Sequence, residues 1–251
     1  MAEERNKIYF ASDFHLGVPD YSKSRQREAL IVQWLDSIKE DAAELYLVGD
    51  IFDFWFEYKK AVPRGFIRFL GKLAELSDKG VKITMFKGNH DMWMFGYLTQ
   101  EMGVTIVSDE LIIDRRGKKF YIHHGDGLGP GDAKYKILKK IFRSSICQWL
   151  FARIHPNLGM AIALGWSGHS RLKNMKKEVF LGEDREWLVD YSKKILQKEH
   201  FDYFIYGHRH LPLDIKLGES SRYINLGEWI NYYSYAVFDG NELKLQYYKT
   251  T

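Results

Sequence analysis

With 251 residues, 45% of them hydrophobic and 16% aromatic, the chain is long and apolar enough to bury a substantial core, which excludes a disordered polymer. A single cysteine, Cys147, excludes an internal disulfide and points to a reducing compartment. The polar start, residues 1–7, lacks the apolar region of a signal peptide. No run approaches the roughly 18 uninterrupted apolar residues of a membrane-spanning helix, so the cytoplasm is the expected location. The net charge of +4 is unevenly placed: residues 133–177 carry ten Lys/Arg and no Asp or Glu, leaving −6 on the remainder.

In chain order, residues 7–12 (KIYFAS) read as a strand, 24–39 as a helix through Leu30, Ile31, Trp34, Leu35 and Ile38, and 44–48 (ELYLV) as a second strand. Residues 64–79 read as a helix stopped by Gly80, 81–86 (VKITMF) as a third strand and 92–102 as a helix, which implies parallel βαβ units. Further on, 111–114 and 118–123 flank Arg116-Gly117, a hairpin signal. Short strands at 201–206, 214–216, 223–225, 234–238 and 243–248 complete the pattern, and 132–198 is mostly helical. Two packed sheets with helices outside, an α/β sandwich, follow from this order. With no repeat or linker, the simplest reading is one domain, 1–251, carrying a helical insertion at about 132–198.

Five short motifs hold His, Asp and Asn where predicted strands end: Asp13-Phe14-His15, Gly49-Asp50, Gly88-Asn89-His90-Asp91, His124-Gly125-Asp126 and Gly207-His208-Arg209-His210. Loops leaving one side of an α/β sheet form its binding crevice, so the five should converge. Any one alone is an ordinary polar turn; all five, each after a strand, are not. Imidazole, carboxylate and amide oxygen without thiolate suit borderline divalent ions, Mn foremost, with Fe, Co and Zn compatible. The pairs two apart, Asp13/His15 and His208/His210, are expected on extended backbone that aims both side chains to one side. Asp50 is the chosen bridge between two ions roughly 3.5–4 Å apart, as two-metal hydrolases require. His123, on the opposite face of its strand from His124, reads as a core residue or as a support for the ligands.

This ordered set resembles the calcineurin-like metallophosphoesterase superfamily over essentially the whole length, which implies its two-sheet α/β/β/α sandwich. The resemblance implies that Asp13, His15, Asp50 and His210 hold one metal and that Asp50, Asn89, His124 and His208 hold the other. It also implies that His90 contacts phosphate and donates a proton, with Asp91 orienting it; Asp91 and Asp126 read equally well as turn caps. Asp13-Phe14-His15-Leu16, Gly49-Asp50-Ile51-Phe52, His124-Gly125-Asp126, Asp132-Ala133-Lys134-Tyr135, Gly207-His208-Arg209-His210 and Leu226-Gly227-Glu228-Trp229 are similar to the UDP-2,3-diacylglucosamine hydrolases of lipid A synthesis. That implies cleavage of a pyrophosphate to UMP and a diacylated glucosamine 1-phosphate. Asp132 and Tyr135 would line the sugar-phosphate pocket, Arg171 and Lys173 would neutralise phosphate, and Asn89, His90 and His208 would also face substrate. One departure stands out: that family commonly has Gly-Asn-Arg-Asp, where this chain has His90.

The insertion joins large apolar residues (Ile137, Leu138, Ile141, Phe142, Ile146, Trp149, Leu150, Phe151, Ile154 and the run 160–166) to its ten cations. Part of this is ordinary core. The combination also fits a lid over an acylated, phosphorylated substrate, resting on an anionic leaflet where each nearby cation contributes about 1 kcal/mol. The expected partners are therefore a lipid-linked nucleotide sugar and the inner membrane face, with no nucleic acid. Two alternatives stay open: a metallophosphoesterase acting on a soluble nucleotide, phosphoprotein or nucleic acid, and a non-catalytic scaffold on the same fold, which would be expected to have lost ligands.

Overall fold

The computed structural model describes residues 5–129, 133–174 and 179–248, the side chains of 133 and 166–174 excepted. The first half alternates β1 (Lys7–Ala11), α1 (Tyr21–Ser37), β2 (Ala42–Leu47), α2 (Ile67–Asp78), β3 (Lys82–Phe86), α3 (Tyr97–Met102) and β4 (Thr105–Val107). A hairpin follows, β5 (Leu111–Arg115) and β6 (Lys118–His123), then helices α4 (Ala133–Arg143), α5 (Ser145–Phe151), α6 (Pro156–Asn174) and α7 (Trp187–Leu196). The chain continues through β7 (Tyr203–Tyr206), β8 (Pro212–Leu217), β9 (Ser221–Leu226), β10 (Ser234–Phe238) and β11 (Leu243–Tyr247).

These strands form a six-stranded sheet, order β11-β10-β1-β2-β3-β4, and a five-stranded sheet, order β5-β6-β7-β9-β8. In the first, β1 to β4 run parallel, while β10 is antiparallel to β1 and to β11. In the second, β6, β7 and β9 are parallel and β5 and β8 are antiparallel edges. Alternation along each strand sends one set of side chains inward. Ile8, Phe10, Tyr46, Val48 and Phe86 of the first sheet meet Phe120, Ile122, Ile205, Ile224 and Leu226 of the second in a buried interlayer. On the outer side of the first sheet, Trp34, Phe69, Leu73 and Leu98 of α1 to α3 complete a second core with Leu45, Leu47, Ile83 and Met85. Outside the second sheet, Leu188 and Val189 of α7 pack on Phe204, Tyr206 and Tyr223. The result is the expected helix–sheet–sheet–helix sandwich. Helices α4 to α6 are rooted in a smaller cluster, where Phe142, Phe151, Met160 and Ala163 pack on Phe54, Phe56, Met92 and Trp93.

The predicted hairpin is present: Arg115 pairs with Lys118 across Arg116 (φ 54°) and Gly117 (φ 73°), a turn with two left-handed central residues that matches strand twist. Boundaries differ at several elements. Helix α1 starts at Tyr21 rather than 24, because the Asp20 carboxylate accepts the Lys23 N–H (2.9 Å) and caps it. The helix expected over 92–102 is confined to Tyr97–Met102. Its start is set from another loop, since the buried Glu57 carboxylate accepts the N–H groups of Phe95, Gly96 and Tyr97 (2.6, 2.6 and 3.0 Å), while Trp93 is bridged to Phe56. The short β4 has no signal of its own and exists through its pairing with β3.

Candidate metal centre

The carboxyl ends of β1 and β2 are in register, Ala11 beside Leu47, and the pairing continues past both strands. Asp13 N–H donates to Gly49 O (3.0 Å), His15 N–H to Asp50 O (2.9 Å) and Leu16 N–H to Ile51 O (3.0 Å), so two motifs 35 residues apart run side by side. The loop after β3 joins them through Asp91, whose carboxylate accepts Gly88 N–H (2.8 Å), Ile51 N–H (2.8 Å) and Phe52 N–H (3.2 Å). The loops after β6 and β7 are tied by Gly207 N–H donating to His124 O (2.9 Å), and the second of these reaches the first sheet where His208 N–H meets Asp13 Oδ2 (3.0 Å). All five motifs therefore converge. Gly88 and Gly207 are required by this proximity: a Cβ at Gly88 would overlap the Asp50 carboxylate, and one at Gly207 would lie 2.6 Å from Asp13 Oδ2.

Three clusters result among the described residues: His15, Asp53 and His90 form one, and the other two are joined. Asp13, His15, Asp50 and His210 bring ligand-type atoms within 4.8 Å of one another, and so do Asp50, His124 and His208. Asp50 is common to both, with Oδ2 3.4 Å from His124 Nε2 and 4.0 Å from His15 Nε2. Asn89 Oδ1, 3.3 Å from His124 Nε2, joins the second cluster. His208 and His210 are divided between the clusters, whereas Asp13 and His15 share one. The extended backbone expected at these pairs is not what places them. Asp13, His15, Asp50, His208 and His210 all adopt left-handed φ, between 45° and 65°, and make up five of the eight such non-glycine residues among those described. Strain of this kind persists where surrounding contacts over-determine it, and it concentrates at functional sites.

The donor set fits divalent cations. Asp13 and Asp50 are fully buried carboxylates, and Asp13 Oδ1 accepts no hydrogen bond, facing His210 Nε2 at 3.2 Å. His15 Nε2 and His210 Nε2 point at each other across 3.1 Å. His124 donates Nδ1–H to Val48 O (2.8 Å), which fixes its tautomer and turns Nε2 toward Asp50, the arrangement of metal-binding histidines. Burial alone would push the His124 imidazole down and the Asp50 carboxyl up. Their mutual attraction prevails, lifting His124 to about 10 and holding Asp50 well below the usual carboxylate range, with His90 and His15 also contributing. Burial, reinforced by His124, pushes His208 down to about 4.

Around this centre the structure reassigns one partner. Asp91, expected to orient His90, is engaged with three backbone N–H groups, and burial beside Asp50 raises its carboxyl to about 7. The carboxylate beside His90 is Asp53, whose Oδ1 lies 3.4 Å from His90 Nδ1 and 3.5 Å from His15 Nδ1. Sequence reading passed over Asp53, although it stands three residues after Asp50 in Gly49-Asp50-Ile51-Phe52-Asp53. It also passed over Arg27, a buried guanidinium on α1 that donates to the carbonyls of His15 (2.6 Å) and Val18. Asn225 was missed too; its amide donates to Gly207 O (2.7 Å) beneath the His208 loop. His123 is a buried support: its Nδ1 accepts Gly125 N–H (2.7 Å), and burial lowers it to about 4. Tyr135, expected to face substrate, donates its hydroxyl to Asp126 Oδ2 (2.5 Å). Asp132 lies outside the described residues; Arg171 and Lys173 lie on α6, their side chains outside the described set.

A two-sheet sandwich whose strand ends present two histidine–carboxylate clusters around one shared aspartate has the donor set of a metal-dependent phosphoesterase. The chain matches the calcineurin-like phosphoesterase family over residues 6–212 and belongs to it; it is a metal-dependent hydrolase. It is 39% identical over 255 residues to the UDP-2,3-diacylglucosamine hydrolase of Porphyromonas gingivalis, with 96% of this chain and 97% of the relative covered. To the protein of the same name from Aeromonas salmonicida it is 30% identical over 240 residues, covering 94% and 91%. Among solved structures, a phosphoesterase from E. coli superposes with a TM-score of 0.46 at 16% identity, covering 94% of this chain and 90% of that one.

Proposed function

We propose that the chain hydrolyses the pyrophosphate of UDP-2,3-diacylglucosamine to UMP and 2,3-diacylglucosamine 1-phosphate, using two divalent ions, manganese foremost. The observation that carries this reading is the 39% identity to a relative of that name across nearly all of both chains. The shared position of Asp50 between two clusters supports the chemistry. Asp13, His15, Asp50 and His210 would hold one ion, and Asp50, Asn89, His124 and His208 the other. Bound there, the ions supply an activated water and neutralise the charge that develops on phosphate. His90, whose Nδ1 lies 3.4 Å from Asp53 Oδ1, would contact phosphate and give a proton to the leaving oxygen.

The helical excursion α4 to α6 supplies the surface for the lipid. Ile137, Ile141, Ile146, Trp149 and Leu150 are all exposed, and Lys134, Lys136, Lys140 and Arg153 lie among them. No helix of the described residues is long and apolar enough to cross a membrane. Peripheral binding to the anionic inner leaflet, from the cytoplasm, would give the exposed apolar side chains a surface to enter and the cations a charge to meet. Incubating the purified chain with manganese and UDP-2,3-diacylglucosamine should release UMP. Hydrolysis of a chromogenic phosphoester with this substrate left intact would turn the reading toward a different phosphoester.

A further inference from the structure

The roots of the helical excursion are bound to the loops that carry His124, His208 and His210. At the first root, the buried Asp126 follows His124 by two residues. Its Oδ2 accepts the Tyr135 hydroxyl at 2.5 Å and pairs with Lys139 Nζ at 2.6 Å, both from α4. The Tyr135 ring lies against Gly127, where a Cβ would meet it at 3.4 Å. At the returning root, Glu186, 1% exposed at the start of α7, accepts two parallel bonds from Arg209 (Nε 3.0 Å, Nη2 2.9 Å). Arg209 stands between His208 and His210, its guanidinium 5.3 Å above the Trp187 ring.

The two roots meet. Gly125 is enclosed by Leu188 of α7 and by His208, which its Cβ would approach at 3.2 and 3.3 Å. Buried charge pairs hold geometry sharply, because breaking one leaves an uncompensated charge in a poorly solvated place. A planar, two-toothed Arg–carboxylate pair also fixes orientation.

We propose that Tyr135 and Lys139 on Asp126, and Glu186 on Arg209, are positioning pairs that couple the helical excursion to the cluster of Asp50, His124 and His208, so that metal binding there and the order of α4 support each other. This rests on the two-metal reading above. Linkage makes the coupling reciprocal: whatever orders α4 tightens metal binding, and the metal orders α4 in turn.

The test uses the full chain and manganese alone, with no substrate. Hydrogen exchange of the α4 amides, measured with and without manganese, should slow about fivefold or more in wild type, the low end of ordinary coupling. In Tyr135→Phe/Lys139→Met that response should vanish, and one of two manganese ions should bind about tenfold more weakly, as when supports of metal ligands are lost. Arg209→Lys keeps the charge and loses the two-toothed fit, so its manganese affinity should fall between wild type and Arg209→Met. Tyr135→Phe alone removes one hydroxyl and serves if the double variant does not fold; it should show the same direction of change. Two manganese ions bound with unchanged affinity in every variant, or α4 exchange blind to manganese in wild type, would overturn the coupling and leave the two-metal reading standing. A wild-type chain that takes up no manganese overturns both.

Discussion

Asp53 illustrates how much of the centre depends on single side chains. It is fully buried, and the same Oδ1 faces Nδ1 of two histidines, one in the first cluster and one beside it. His90 Nδ1 donates to the main-chain carbonyl of Asp53 (3.2 Å), while the carboxylate lies within charge-pair distance of both rings, so its loss differs from the loss of either imidazole. His90→Ala should lower kcat roughly 10²–10⁴-fold, the range of a positioned acid, with two manganese ions still bound. Asp53→Asn should lower both kcat and manganese affinity, about 10–100-fold in affinity, because His15 is also released. A manganese titration followed by electron paramagnetic resonance distinguishes the two, and equal manganese binding by wild type and Asp53→Asn would sink the orienting role. Asp53 was illegible in the sequence because a lone Asp in a loop is normally a solvated turn residue. Its histidine neighbours come from the parallel run of residues 13–16 beside 49–53 and from the loop after β3. The clustered His and Asp residues were legible for the opposite reason: their motifs follow apolar strands, and strand ends on one side of a sheet meet by topology.

At the scale of elements, the apolar residues of α4 and α5 divide into two groups that sequence periodicity alone did not separate. Phe151 is turned inward and packs on Phe54 (6.1 Å between ring centres), Phe56 (4.8 Å) and Trp93 (4.7 Å). Trp149, two residues away, is 56% exposed and lies under the Arg153 guanidinium at 4.6 Å. Phe151→Ala should therefore destabilise the chain by about 3 kcal/mol, at the low end for aromatic truncation because the ring is only partly buried. Trp149→Ala should stay within about 0.5 kcal/mol of wild type, as surface changes do. Its effect should appear in substrate use: a higher KM for a diacylated substrate and an unchanged KM for a chromogenic small ester. Denaturant midpoints and paired kinetics check this, and equal losses on both substrates would make Trp149 plain scaffold. Helical spacing locates an apolar stripe but not what covers it; here the cover for Phe151 comes from the loops after β2 and β3, distant in sequence. The same kind of distant contact, Glu57 on the start of α3, explains the helix drawn five residues too long.

Over the whole molecule, the charge distribution ties stability to the metals. Asp13, Asp50, Asp53, Asp91 and Asp126 are each at most 2% exposed, and all stand at the junction of the two sheets' strand ends. Imidazoles, Lys139 and backbone N–H groups face these carboxylates; His124, His90 and His15 hold Asp50 below the usual carboxylate range against burial, while burial and Asp50 raise Asp91 to about 7. A cation that binds the folded chain and not the unfolded one stabilises it by mass action, about 2.7 kcal/mol per site at a hundredfold excess over Kd. For a chain of 251 residues one such site corresponds to roughly 5–10 °C in Tm, and two sites to more. Chelation followed by return of manganese should therefore lower and then restore Tm, and Asp50→Asn, which removes the carboxylate common to both clusters, should lose most of the manganese-dependent rise while still folding. Calorimetry across a manganese titration reads both. A Tm that ignores manganese in wild type would mean that the buried carboxylates are compensated from within the protein, and the clusters would then be structural rather than metal-binding.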